Sequence, residues 1–274
     1  MKSVINFSYT ILLFLYLIIF TPSCSDSSKK LDSEIEPCTQ FDCIQGAIVR
    51  GDSTRKNLAL IFSGDTFADG GDHIQSVLTE YDIKASFFFT GNFYRNPEFL
   101  DLIINLNDEE HYLGAHSDRH LLYNDWENRD SLLVTYSEFT EDVTNNYKEM
   151  EKIGIKKKVT EYYLPPYEWY NSTIASWTDS LELQLINMTY GTLSHADYTT
   201  PEMSNYRDSD EIFENIIEYE SKNQNGLNGF MLLIHIGTDP KRTDKFYLKL
   251  EQLITEIRSK QYEFVRVDEL LKIN

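Results

Sequence analysis

The stretch Leu58-Ala59-Leu60-Ile61-Phe62 is a continuous apolar run, and a polar, glycine-rich loop at residues 63–71 follows it. A run of this kind is typical of a strand that is buried on both faces of a sheet. After the loop, apolar side chains recur at helical intervals over residues 73–81. This strand, loop and helix form one βα unit, and the repetition of that unit decides the fold.

The same alternation continues toward the C-terminus. Further strands are predicted at residues 83–90, 112–115, 159–163, 183–188, 229–235 and 264–267. Further helices are predicted at residues 97–106, 131–153, 172–181, 210–221 and 246–257. Repeated βα units indicate a parallel sheet with helices packed outside it, either doubly wound or barrel-like.

Polar side chains lie where several of these strands end. The strand ends carry Asp65, His116, His120, Pro165-Pro166 and His235. Functional residues collect at the C-terminal ends of parallel strands. Two histidines four residues apart can lie on one face of a helical turn and bind one transition-metal ion. Their place at one predicted rim favours a metal site over a chance pairing.

Composition limits the partners of the chain. Its 274 residues suffice for one large domain or two small ones, and its net charge is -19. A nucleic-acid binder or an anionic-membrane binder would normally have the opposite charge balance. Aromatic residues make up 14% of the chain, so surfaces that stack on a ring-shaped ligand are easily built.

The first residues form a targeting segment. Lys2 precedes an apolar run at residues 11–20 that is too short for a comfortable membrane span and fits a secretory signal. Cys24 resembles the lipid-modified cysteine of bacterial lipoproteins, although Thr21 stands where Leu is usual; a plain secretory signal is the alternative. We expect an exported, cell-envelope protein that is attached to the membrane only by this lipid anchor. The predicted divisions are a signal at residues 1–24, a tether and short N-terminal segment at 25–56, and a catalytic domain at 57–274.

Two further cysteines stand close together after the tether. Cys38 and Cys43 lie in a loop-like segment, and an oxidising compartment would let them pair. A local disulfide is the prediction, with two free thiols as the alternative.

Several motifs resemble one family. Residues 116–120 (HSDRH) match the H-[ST]-x-x-H metal motif of the NodB-like polysaccharide deacetylases, carbohydrate esterase family four. Residues 83–91 resemble its I-K-A-T-F-F-x-x-G strand, residues 232–235 resemble its late L-L-x-H, and residues 165–167 give a fourth match. The resemblance spans residues 57–271. It implies a distorted (β/α) barrel of about six to seven parallel strands, one divalent metal, and hydrolysis of an N- or O-acetyl group on a sugar.

The chain departs from the family's first motif, T-F-D-D-G, whose first Asp is the general base and whose second Asp binds metal. Alignment on the strand places Ser63 at the base position and Gly64 at the metal position. Alignment on the motif instead places Ala68 and Asp69 there. In both cases the base is missing. Asp65 and Asp69 are the remaining carboxylates, and they could exchange the roles of metal ligand and base.

The later motifs also differ. The family's R-P-P-Y-G appears as Leu164-Pro165-Pro166-Tyr167-Glu168, and loss of the Arg together with its carboxylate partner avoids an unpaired charge. The D-W motif is not recognisable, and Asn187, His195 and Asp197 are the polar groups in that region. Ile236 stands where an Asp often helps to keep the catalytic His charged, which leaves the tuning of His235 open.

The resemblance therefore assigns candidate roles. The expected metal ligands are His116, His120 and one of Asp65 or Asp69, and the other Asp is the candidate base. His235 would protonate the leaving group. The predicted substrate-binding residues are Pro166, Tyr167 and Trp169. The expected ion is zinc, with cobalt, nickel and manganese as alternatives.

The sequence thus predicts a hydrolase that removes acetyl groups from a polysaccharide or oligosaccharide, acting on a non-peptide carbon–nitrogen bond or a carboxylic ester. The missing base and Arg favour a different hypothesis, a catalytically impaired domain that binds glycan as a surface lipoprotein. A third hypothesis is a metal-dependent hydrolase of a non-sugar amide.

Overall fold

The computed structural model describes residues 37–273. The predicted signal, Cys24 and residues 25–36 of the predicted tether and short N-terminal segment lie outside this range. Within it, the strands are β1 (Asp42–Ile44), β2 (Ala47–Arg50), β3 (Asn57–Gly64), β4 (Ser86–Phe89), β5 (Tyr112–Ala115), β6 (Tyr162–Tyr163), β7 (Gln184–Leu185), β8 (Phe230–His235) and β9 (Glu263–Phe264). The α-helices are α1 (Gly71–Glu80), α2 (Gly91–Tyr94), α3 (Leu100–Asp108), α4 (Tyr136–Lys152), α5 (Ser172–Asp179), α6 (Ser209–Lys222), α7 (Leu250–Ser259) and α8 (Val267–Leu270). None of these helices is both long and apolar enough to cross a membrane.

Strands β3 to β9 form a seven-stranded sheet in the order β7-β6-β5-β4-β3-β8, with β9 also paired to β3. Every pairing in this sheet is parallel. The sheet is curled into a half-barrel with helices around it, which confirms the predicted distorted (β/α) barrel.

Side chains alternate between two cores along each strand, as the period of two requires. From β3, Leu58, Leu60 and Phe62 enter the large core beneath the helices. Ala59 and Ile61 instead enter a smaller core inside the curled sheet. Burial on both faces explains why the strands are continuous apolar runs in the sequence.

A short antiparallel hairpin, β1 and β2, precedes the sheet. Strand β2 lies in the seam between the ends of β7 and β8. The Asn187 N–H donates to the Ile48 carbonyl at 2.9 Å, and the Thr189 hydroxyl donates to the Val49 carbonyl at 2.5 Å. The Thr189 N–H donates onward to the Met231 carbonyl at 3.0 Å, which links β2 to β8 through one residue.

The buried Arg50 fixes the end of β2. Its guanidinium donates to the carbonyls of Asn228 at 2.8 Å and Gly226 at 2.9 Å. All four residues of β2 are buried. Residues 47–50, which belong to the predicted short N-terminal segment, are therefore packed against the half-barrel.

The remaining local predictions have mixed outcomes. Cys38 and Cys43 form the predicted disulfide. Helix α4 begins later than the predicted start at residue 131, because Thr135 and Glu138 form a reciprocal capping box there. Val159, predicted to open a strand, instead ends a 3₁₀ turn before β6.

Candidate functional site

Three side chains share the inner face of the half-barrel where its strands end. Ser63 has the parity of Ala59 and Ile61 on β3, and it pairs with His235 of β8 in the sheet register. His116 follows β5 two residues beyond Gly114, on the side of the inward-facing Tyr112. The period of two therefore directs Ser63, His116 and His235 toward the same rim.

The two histidines of the HSDRH segment converge. The Nε2 atoms of His116 and His120 are 3.3 Å apart. The segment is not the helical turn that the spacing suggested, because Ser117 and His120 have positive φ angles of 73° and 54°. A loop with two left-handed residues, rather than a helix face, brings the rings together.

Helix α4 holds this loop through two buried polar side chains. Asp142 accepts hydrogen bonds from the Ser117 hydroxyl at 2.5 Å and from the Arg119 N–H at 3.1 Å. The Asn146 side-chain oxygen accepts from the His116 N–H at 2.8 Å. Nδ1 of His116 lies 3.0 Å from the Leu164 carbonyl, so its Nε2 remains free for a ligand. The sequence contained a signal for this support, since two polar residues four apart interrupt the buried face of α4.

The electrostatics of the pair suit metal binding. Burial lowers the pKa of His116 to about 3 and that of His120 to about 4. Both rings are therefore neutral near pH 7, as a metal ligand must be. Two nitrogens bound to one tetrahedral ion at roughly 2.0–2.1 Å lie roughly 3.3 Å apart, which matches the observed separation. The histidine pair thus fits two positions of a metal site.

A third protein ligand for the metal would have to be a carboxylate near the histidine pair. Within residues 37–273, no group of three or more His, Cys, Asp or Glu side chains is arranged to hold a metal ion. Asp65 is the carboxylate coupled electrostatically to the pair. Burial raises its pKa, but hydrogen bonds from Thr90 and Thr66 and the proximity of His120 lower the pKa below its ordinary value overall. The Thr90 hydroxyl donates to Oδ1 at 2.8 Å, which holds Asp65 at the end of β3.

Asp69 occupies a different environment. Its Oδ1 accepts the Thr238 N–H at 2.8 Å. Its Oδ2 accepts the Tyr247 hydroxyl at 2.8 Å and pairs with Lys245 at 2.9 Å. These contacts tie Asp69 to the loop after β8 rather than to the histidine pair.

His235 has a buried carboxylate partner that the sequence did not reveal. Asp197 lies in the 3₁₀ turn Ser194–Tyr198, and its Oδ1 is 2.6 Å from His235 Nδ1. Its Oδ2 accepts the His235 N–H at 2.9 Å. Burial acts to lower the pKa of His235, but the charge and hydrogen bond of Asp197 raise the pKa overall. Tuning of His235 therefore does not depend on the missing Asp at position 236.

Apolar side chains fill the space beside Gly64, the residue that aligns with the metal-binding Asp of the family. Strand β3 runs to Gly64, so Ser63 and Gly64 hold the base and metal positions when the chains are aligned on the strand. A Cβ atom added to Gly64 would lie 2.7 Å from Ile236 Cγ2 and 3.0 Å from the rings of Phe89 and Phe93. An acidic side chain at position 64 would have to displace these groups.

We predict that Gly64→Ala destabilises the fold by about 1–3 kcal/mol through overpacking. Ile236→Ala removes the nearest atom, so the double variant Gly64→Ala/Ile236→Ala should be more stable than the sum of the single effects by about 1 kcal/mol. Urea unfolding measures this cycle. In a control cycle, the effects of Gly64→Ala and Ile257→Ala on the free energy of unfolding should add. Additive effects in both cycles would contradict the packing of Gly64 against Ile236.

Aromatic residues flank the histidine pair. Tyr167 is 44% exposed, and its ring centroid is 4.3 Å from that of His120. Trp126, which belongs to none of the sequence motifs, is 55% exposed, and its ring centroid lies 5.5 Å from that of Tyr167. Pro166 is buried, and one face of Trp169 is covered by Arg129 at 3.7 Å. Tyr167 and Trp126 therefore offer the accessible stacking surface, and Pro166 and Trp169 support it.

The half-barrel and its rim of two converging histidines with a carboxylate-bound third histidine are those of a carbohydrate esterase of family four. Residues 50–186 match the family described as Polysaccharide deacetylase. The chain belongs to this polysaccharide deacetylase family.

Two curated relatives come from Bacillus subtilis (strain 168). The chain is 24% identical to the uncharacterized protein YlxY over 244 residues, covering 87% of this chain and 65% of YlxY. It is 22% identical to the peptidoglycan-N-acetylmuramic acid deacetylase PdaA over 247 residues, covering 90% of this chain and 80% of PdaA. The chain thus spans less than two thirds of the length of YlxY.

Solved structures share the fold. BA3943 from Bacillus anthracis, described as a family-four pseudoenzyme, superposes with a TM-score of 0.65 and 17% identity over 84% of this chain and 70% of that one. The PdaA structure superposes with a TM-score of 0.63 and 20% identity over 83% of this chain and 85% of that one. At these identities the likeness establishes the fold alone.

Proposed function

We propose that the protein hydrolyses acetyl groups, N- or O-linked, from a carbohydrate of the cell envelope with the help of one divalent metal ion. One observation carries the proposal. The Nε2 atoms of His116 and His120 converge to 3.3 Å at the same rim where Asp197 holds His235 at 2.6 Å. A domain that only packed or bound sugar would need neither the neutral imidazole pair nor the charged histidine dyad.

The residues divide the chemistry between them. His116 and His120 would hold the ion, with Asp65 as the carboxylate available to complete the set. Zinc is the expected ion, with cobalt, nickel or manganese as alternatives. When bound, such an ion polarises the acetyl carbonyl and lowers the pKa of water. His235, protonated through its contact with Asp197, gives its proton to the leaving amine or alkoxide.

The substrate side of the proposal rests on the exposed aromatic rings. Tyr167 lies against His120 and Trp126 lies beside Tyr167, so a sugar that stacked on them would bring its acetyl group to the histidine pair. Acetylated polysaccharides or oligosaccharides are the proposed substrate class. Peptidoglycan is one member, because PdaA is named for activity on it.

Acetate release tests the function directly. The chain without residues 1–24 should release acetate from at least one of N-acetylated chito-oligosaccharide, peptidoglycan and acetylxylan. Chelator treatment should abolish the release, and added Zn²⁺ or Co²⁺ should restore it. No release from any of these substrates with either metal would reject the proposal.

A second candidate function follows from Ser63 and Gly64. Neither the base nor the metal carboxylate of the family is present at the end of β3, and apolar groups fill the space beside Gly64. BA3943, a pseudoenzyme, has a mutant described as having restored enzymatic activity. A non-catalytic glycan-binding protein would bind these oligosaccharides without releasing acetate, and calorimetry on the same panel distinguishes the two functions.

We further propose export to the cell envelope and lipid attachment at Cys24, on the evidence of the sequence alone. Labelled palmitate should be incorporated into the full chain in a bacterial host and not into its Cys24→Ala variant. Equal labelling of both chains would reject lipid attachment at this residue.

A further inference from the structure

Tyr167 and Glu168 form a pair of adjacent residues in the left-handed region. Their φ angles are 60° and 52°. The conformation is unfavourable for a residue with a Cβ, and the family motif R-P-P-Y-G has Gly where this chain has Glu168. The turn itself is fixed by backbone groups, since the Glu168 N–H donates to Pro165 at 3.1 Å and the Glu168 carbonyl accepts from Asn187 at 2.8 Å. Nothing in this turn requires a carboxylate.

The Glu168 side chain is half-buried at the rim. No hydrogen bond to its carboxylate is made by any residue that the structure describes. Burial raises the pKa of Glu168 to about 7, the charge of His235 lowers it, and that of Asp197 raises it. The carboxylate is therefore electrostatically coupled to the His235–Asp197 pair and is basic enough to accept a proton near neutral pH.

Each of the other carboxylates around the rim already has a hydrogen-bond partner or a proposed role. Asp65 accepts hydrogen bonds from Thr90 at 2.8 Å and from Thr66 at 2.8 Å. Asp142 holds the histidine loop, and both oxygens of Asp197 bind His235. Glu168 is the one among these four with no competing partner, and a strained, partly desolvated residue without a structural contact indicates a functional role.

We propose that Glu168 is the general base that stands in for the base missing at Ser63. This inference rests on the proposed hydrolytic function. The Glu168 carboxylate removes a proton from water as the water oxygen bonds to the acetyl carbon. The bond from that carbon to the sugar nitrogen or oxygen then breaks, and His235 gives its proton to the leaving atom. Acetic acid, which ionises to acetate in solution, and the free amine or alcohol depart, Glu168 loses its proton to solvent, and His235 regains one.

The matched test compares two Glu→Gln substitutions. Glu168→Gln should lower kcat by about 10²- to 10⁴-fold, the usual contribution of a general base, with little change in KM. Glu182 also has a positive φ, 58°, and is exposed. Glu182→Gln should leave kcat unchanged and controls for loss of a charge on a left-handed residue.

A second variant separates catalysis from stability. Glu168→Gly relieves the backbone strain, so its urea midpoint should rise while kcat falls as in Glu168→Gln. Added formate should restore part of the kcat of Glu168→Gly and none of that of a His235→Ala variant. A residue with a merely structural role would show neither the opposite changes in stability and rate nor the rescue.

A third measurement does not need turnover. Removal of the Glu168 charge should lower the pKa of His235, which NMR titration of the metal-free protein follows in wild type and Glu168→Gln. An unchanged His235 pKa would contradict the electrostatic coupling between Glu168 and His235. Active wild type with an equally active Glu168→Gln would overturn the role of Glu168 alone, whereas an inert wild type would overturn the proposed function and this inference with it.

Discussion

His120→Asn is expected to remove tight metal binding and to lower kcat/KM by about 10³-fold or more. A catalytic metal ion typically contributes several kcal/mol to catalysis, and each 1.4 kcal/mol is a factor of ten in rate. Asparagine suits this position because His120 has φ 54° and Asn tolerates the left-handed region. The variant therefore removes the imidazole without adding strain to the loop.

Metal content after dialysis against a weak chelator, measured by atomic spectroscopy, checks this result apart from activity. His73→Ala provides the control, because His73 lies on α1 and contacts Tyr247 rather than the histidine pair. Circular dichroism establishes that both variants fold. Full zinc occupancy in His120→Asn would show that the ion is bound elsewhere.

Asp197→Asn is expected to lower kcat by about 10²-fold, at the lower end of what general acid catalysis contributes. The amide retains the shape and can still accept the His235 N–H, so the change is mainly the loss of a negative charge. Without that charge the pKa of His235 falls. The alkaline limb of the kcat profile, where the general acid loses its proton, should therefore move to lower pH.

The stabilisation that the His235–Asp197 pair gives the fold should decrease as the pH rises. The pKa of His235 is raised in the fold above its ordinary value of 6.5. The stabilisation from its pairing with Asp197 is therefore fully present below about pH 6.5 and is lost as the pH rises through the raised pKa. Urea unfolding should show the largest difference between wild type and Asp197→Asn at pH 5.5 and a smaller one at pH 9. An equal difference at both pH values, with an unmoved alkaline limb, would remove Asp197 from this role.

The sequence predicted the sheet well because its strands are buried on both faces. Runs such as residues 58–62 and 229–235 cannot be placed on a solvated edge, so β3 and β8 follow from composition alone. The hairpin strand β2 was missed, since four residues with a buried Arg50 carry no such signal. Its burial depends on carbonyls more than 170 residues away in the chain.

Some of the site residues could likewise be predicted from the sequence, and others could not. His116, His120 and His235 were predictable because each lies at, or shortly after, the end of a recognisable strand. Asp197 was not, because its contact with His235 depends on how the polar loop after β7 folds back over β8. Glu168 was recognisable in the sequence as a departure from the family motif, but its burial and its electrostatic coupling to His235 arise only in the folded rim.

The strand β2 also determines when the half-barrel can close during folding. It leaves the ribosome before every strand of the main sheet, yet its contact with Thr189 spans 140 residues. Bringing such distant segments together carries a large loop-closure cost, so this seam forms late and folding is slow relative to proteins with local contacts. Until residues 186–231 have been synthesised, β2 has no partner in the sheet. The seam therefore cannot form until most of the domain has been made, although its first strand is among the earliest segments to be synthesised.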